Sequence, residues 1–182
     1  MNAPLPAVRL LVCGNADRGD DGAALAAVAH VLPRIEDAIR TRVEVRRCAQ
    51  LDPTDLIDIP AGESCIVLDT VVGVDAGTVV MIPLERLCGG NGGGDGDGHG
   101  GMCPRSSHAL PIAQALGIAA AVRGSLPDGV FIGIGGRRFG FGGRRSRAVT
   151  QGMRAFERAT EGELRRIASA ALVAGPGGHP GV

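Results

Sequence analysis

The sequence contains no lysine, no tryptophan and no tyrosine, and only four phenylalanines in 182 residues. Stacking of bases or sugars on aromatic rings therefore has few candidates. All 19 basic residues are arginine, and 19 acidic residues balance them to a formal net charge of zero. That balance argues against a nucleic-acid partner, which calls for a basic excess. No apolar run reaches the ~20 residues that span a bilayer, so no membrane partner is expected. The opening MNAPLPAVRLLVCGN lacks the charged start and long apolar stretch of a secretory signal. The five cysteines (Cys13, Cys48, Cys65, Cys88 and Cys103) are odd in number and contain no CxxC pair. Three of them, Cys13, Cys48 and Cys65, fall in apolar, strand-like runs and read as buried, reduced thiols. The expected compartment is cytoplasmic.

What is present is a 45% hydrophobic chain of ordinary domain length, enough for one core built from Val, Leu, Ile and Ala. Residues 8–13 (VRLLVC) read as a buried strand opening into a Gly14-Asn15 loop. Residues 22–32 (GAALAAVAHVL) have helical spacing, with Asp20 and Asp21 placed to cap the helix and meet its positive end. A second strand is expected at 43–48, a short helix from Asp52-Pro53 to Ile59, and further strands at 65–72, 78–84 and 130–134. Helices are expected at 110–123 and 146–173. The tract at 89–101, GGNGGGDGDGHGG, cannot bury a core and reads as a mobile loop, dispensable for folding. The alternation predicts a three-layer α/β domain over residues 1–174, with a twisted, mainly parallel sheet between helices and a Gly/Pro tail at 175–182. Sites in such sheets collect at the carboxyl ends of strands.

Three features fall at or near such positions. The loop GNADRGDDG after the first strand is not GxGxxG and has no P-loop lysine, and its carboxylates would repel a phosphate. It suits a cation better. Asp69 ends the apolar run CIVLD; taken singly it reads as a turn or capping residue. His108 follows Ser106-Ser107; taken singly it reads as a surface residue at a helix start. Together, two carboxylates and an imidazole from three loops make a site for a divalent metal, and mixed O/N ligands do not choose among nickel, zinc, manganese and iron.

These segments carry a family resemblance. LLVCGNADRGDDGAALAAV, CIVLDTVVGVDAGTVV and SSHALPIAQALGIAAAVRGSLPDGVFIGIGG resemble, in order, the three sequence blocks of the hydrogenase maturation proteases. The resemblance implies a phosphorylase/hydrolase-like α/β fold and a peptidase. Its partner is the hydrogenase large-subunit precursor, from which it removes a C-terminal extension after nickel insertion. It also implies that Asp21, Asp69 and His108 contact the metal and form the catalytic site, and that the nickel is carried by the substrate, with no resident cofactor. The chain departs from the family at three places. Asp21 stands where Glu is common, the glycine tract precedes His108, and RRFGFGGRRSRAV follows IGIGG where a less basic segment is usual. An alternative with the same ligands is a non-catalytic nickel-binding assembly protein. Less favoured readings are a zinc site from Cys88, His99, Cys103 and His108, a nucleotide-binding domain, and an aspartyl-phosphate phosphatase, for which VLDTVV lacks the second aspartate.

Overall fold

The structure, a computed structural model, describes residues 8–89, 105–106 and 111–174. Most of the glycine tract, the 175–182 tail, His99, Cys103 and His108 lie outside the described residues.

Among the described residues, six strands form one sheet: β1 (Val8–Cys13), β2 (Val43–Cys48), β3 (Ser64–Val72), β4 (Val79–Pro83), β5 (Arg105–Ser106) and β6 (Gly129–Gly135). The order is β2-β1-β3-β6-β4, with β5 paired to β3. The first four strands of that order run parallel, and β4 closes the edge antiparallel to β6. β1, β3 and β6 are buried almost throughout, which is why their sequences are near-continuous apolar runs. The edge strand β2 is half-buried. Consequently Cys48 is only partly buried, whereas Cys13 and Cys65 are fully buried. The expectation of three buried thiols holds for two, because an edge strand lacks a neighbour on one side.

The period-2 alternation of the strands assigns the two cores. Val8, Leu10 and Val12, with Ile66, Leu68, Ile132 and Ile134, face α1 (Ala23–Val31) and the 28-residue α6 (Arg147–Ala174). Leu11, Cys13, Cys65, Val67 and Phe131 face the other layer. That layer holds α3 (Pro53–Ile57), α4 (Leu84–Gly89) and α5 (Ile112–Arg123). The short α2 (Asp37–Arg40) leads into β2. The expected start at Asp52 is a capping box: the Asp52 side chain accepts from Thr54 N, and the Asp55 side chain accepts from Asp52 N. The far end of α3 is closed by Arg123, whose Nη1 donates to the carbonyls of Leu56, Ile57 and Ile59. α4 and β5 were not expected from sequence.

Residues 74–78, between β3 and β4, pack backbone to backbone on the start of α6. A Cβ at Gly152 would stand 2.2 Å from the Gly77 carbonyl oxygen, and one at Gly77 would stand 2.3 Å from that of Ala148. Alanine is the better helix former by ~1 kcal/mol, so Gly152→Ala tests which effect wins. Both contacts are with backbone, which cannot rotate away. The expected result is a net loss of ~2–3 kcal/mol in urea unfolding.

Candidate metal-reading site

The chain leaves β1 toward β2 on one side, then returns over β1 to enter β3 on the other. The crevice outside the carboxyl ends of β1 and β3 is therefore the switch point where open α/β sheets place ligands. Residues 14–22 follow β1 directly. Gly14 donates its N–H to the Cys48 carbonyl (3.0 Å) and has φ +123. A side chain there would lie 2.1 Å from the Asp21 carbonyl oxygen, so this turn requires glycine. The loop ends in a 3-10 turn, Gly19–Gly22.

Asp20, Asp21 and Asp69 are each 0% exposed, so three carboxyl groups are withdrawn from water at one edge of the sheet. Thr70 Oγ1 donates to the Asp20 carbonyl at 3.0 Å. This bond fastens the loop to β3 at the residues adjoining Asp21 and Asp69. Asp21 Oδ2 accepts from Asn15 N at 3.2 Å and lies 3.9 Å from Arg18 Nη1. Asp69 Oδ1 accepts from Thr70 N at 2.7 Å. Asp69 lies within β3, three residues before its end, on the side facing α3 and α5. On the same side, Cys13 is held well above the ordinary thiol value by its hydrogen bond to Cys48, by burial and by the nearby Asp69 carboxylate.

The expectation that Asp20 and Asp21 cap α1 is corrected. The helix starts after Gly22 and has no side-chain cap. Asp20 instead holds the segment between β6 and α6. Its Oδ2 accepts from Arg137 N and Arg138 N, both at 3.0 Å, and its Oδ1 from Ser146 N at 2.6 Å. Burial pushes its carboxyl up, but the three backbone N–H groups outweigh burial and bring the pKa below the ordinary 3.8. The acidic pair thus divides: Asp20 is a structural acceptor for a second loop.

That second loop forms one wall of the site and was not identified from sequence. Asp20 N donates to the Arg138 carbonyl (2.7 Å) and Gly142 N to the Asp17 carbonyl (2.8 Å). Arg18 Nε donates to the Phe139 carbonyl at 3.1 Å, and its guanidinium lies 5.4 Å from the centre of the Phe141 ring. Phe141 is 78% exposed. A groove of about 500 Å³ runs beside the loops, lined by Ala16, Gly19, Leu25, Arg47 and Arg145 among others. A larger cavity of about 600 Å³, with Pro83, Glu85 and Cys88 in its wall, lies at the opposite, amino edge of the parallel strands. Cys88 therefore does not approach Asp69. Among the described residues no three His, Cys, Asp or Glu side chains gather as a metal cluster, and the third sequence-predicted ligand, His108, is outside them.

Several solved structures are similar to this chain. The [NiFe] hydrogenase maturation protease HybD from Thermococcus kodakarensis superposes with TM-score 0.56 at 21% identity, over 85% of this chain and 97% of that one. The hydrogenase maturating endopeptidase HybD from E. coli gives 0.60 at 14% identity, over 87% and 92%. The [NiFe] hydrogenase maturation protease HycI from Thermococcus kodakarensis KOD1 gives 0.58 at 18% identity, over 87% and 92%. The chain has the fold of the hydrogenase maturation proteases. No protein-family model matches it, and no curated protein does. The expected three-layer, mainly parallel α/β architecture is therefore met both in its own strand order and in its likeness to that fold. Among the described residues no helix of this hydrogenase-maturation-protease fold is long and apolar enough to cross a membrane.

Proposed function

We propose that this protein is an endopeptidase that removes the C-terminal extension of a nickel-loaded hydrogenase large-subunit precursor, with Asp21, Asp69 and His108 reading the nickel. The observation that carries the proposal is the burial of Asp21 and Asp69 at the switch point of a fold shared with proteases of this class. Two carboxylates withdrawn from water at one sheet edge are suited to a hard or borderline divalent cation.

The third residue, His108, is assigned by the family resemblance of its Ser-Ser-His block; among the described residues, Ser106 of that block pairs antiparallel with Val71 of β3. The nickel belongs to the substrate in this reading, so an empty precursor offers no cation to the carboxylates. Cleavage then serves as a checkpoint on metal insertion. Near the site, the segment GRRFGFGGRRSR carries five arginines and no acidic residue, and its Arg145 lines the groove together with Arg47, which favours a precursor surface bearing negative charge.

The test is incubation of the purified protein with nickel-loaded and nickel-free large-subunit precursor, followed by intact mass spectrometry. The expected result is loss of the C-terminal extension from the loaded form alone. Binding of the loaded precursor without cleavage assigns the protein instead to a non-catalytic assembly role. Equal cleavage of both forms removes nickel reading from the proposal.

A further inference from the structure

The two thiols at the carboxyl ends of β1 and β2 have a position that the proteolytic reading does not use. Cys13 and Cys48 are register partners across adjacent parallel strands. Their Sγ atoms are 3.2 Å apart, inside the van der Waals contact of two sulfurs, and both thiols are free. Neighbouring strands hold their Cα atoms within the span that a disulfide bridges. Cys13 is fully buried, and Cys48, on the edge strand, is partly open to solvent. No other described cysteine competes: Cys65 pairs with Arg9 near the opposite, amino end of the strands and Cys88 lies in α4.

We propose that Cys13 and Cys48 form a dithiol–disulfide site, oxidised by a peroxide, whose state sets the mobility of the loop at residues 14–22. The sulfur of Cys48, the less buried residue of the pair, attacks the peroxide O–O bond, giving a sulfenic acid and releasing water. The Cys13 sulfur then attacks the Cys48 sulfur, the S–O bond breaks, and the hydroxide leaves with the Cys13 proton as a second water. The two thiols lose two electrons, hydrogen peroxide gains two, and the product is one S–S bond. A small dithiol reverses the step by exchange.

The consequence for the loop follows from the hydrogen bonds around the pair. Gly14, next to Cys13, donates to the Cys48 carbonyl, and Asn15 donates to the Asp21 carboxylate. A bond between the sulfurs fixes the two strand ends that anchor this chain of contacts. The link to metal reading rests on the proposed function; bond formation does not, so failure of the cleavage assay leaves it standing.

The experiment uses the full chain, reduced, desalted and titrated with hydrogen peroxide. Non-reducing peptide mapping is expected to show one linked peptide, Cys13 to Cys48, lighter by two hydrogens and restored by dithiothreitol. Closing a loop between residues 35 apart in sequence is expected to raise the unfolding midpoint by roughly 5–10 °C. Amide exchange at Gly14 and Asn15 is expected to slow by about tenfold or more. Cys48→Ser should abolish all three changes; because the linkage is mapped in the unsubstituted protein, poor folding of the variant does not decide the matter. Full alkylation of Cys48 after another thiol has oxidised, or its linkage to a different cysteine, would overturn the site. A mapped bond with unchanged exchange at Gly14 and Asn15 would overturn its control of the loop.

Discussion

Asp69→Asn is expected to reduce removal of the precursor's C-terminal extension by roughly 10²-fold or more, while the protein stays folded. Asparagine has nearly the same shape and keeps an oxygen that can accept from Thr70 N, the bond seen at 2.7 Å. What it loses is charge, and a neutral amide is a poor ligand for a divalent cation beside a second carboxylate. Asp69→Ala separates position from charge. It also removes the acceptor for Thr70 N in a fully buried place, so its unfolding free energy should fall by ~1–3 kcal/mol. The measurement is a time course by mass spectrometry on nickel-loaded precursor, with urea unfolding of each variant alongside. If the folded asparagine variant cleaves at the rate of the unsubstituted protein, Asp69 has no part in reading the metal.

The second large effect concerns stability. Asp20→Asn is expected to cost about 3 kcal/mol at neutral pH. The native carboxylate spreads over three backbone donors, Arg137 N and Arg138 N on one oxygen and Ser146 N on the other. An amide turns one of its ends into a donor, so at least one backbone N–H then faces another N–H in a buried place. The dependence on pH follows from the lowered pKa of Asp20. A carboxyl depressed in the folded state binds its proton more readily in the unfolded chain. Its stabilising contribution is complete above the unfolded value near 3.8 and is lost as pH falls through the lower folded value. Unfolding free energies of the two proteins should therefore differ most at neutral pH and converge in strong acid. A constant difference across that range would mean that Asp20 acts by packing and not by charge.

Much of the fold was legible because apolar period and strand length are local properties. The runs VRLLVC and CIVLD, continuous because both sheet faces are covered, mark β1 and β3 as central strands. The amphipathic stretch of α6 and the capping box at Asp52 are likewise written in neighbouring residues. α4 was obscured because six residues, LERLCG, carry too few turns to show a helical period before glycine takes over. β5 was hidden for a different reason. Two residues have no pattern of their own, and Arg105–Ser106 is a strand only because Val71 and Val72 offer it backbone partners.

The acidic pair shows where local reading failed. Two aspartates before an alanine-rich helix satisfy every sequence rule for a cap, yet a 3-10 turn intervenes and Asp20 faces residues 117 to 126 positions away. The sequence by itself determined the alternation of strand and helix, the face each strand residue occupies, and the presence of acids toward the carboxyl ends of apolar strands. Only the tertiary structure decided that β4 runs antiparallel, that the arginine-rich segment before α6 walls the site, that Asp20 is a scaffold while Asp21 and Asp69 remain at the crevice, and that Cys13 meets Cys48. The reason is physical. Side-chain period says which way a residue points, whereas its neighbour is chosen by backbone hydrogen bonds and burial between segments far apart in the chain, and no local pattern encodes that choice.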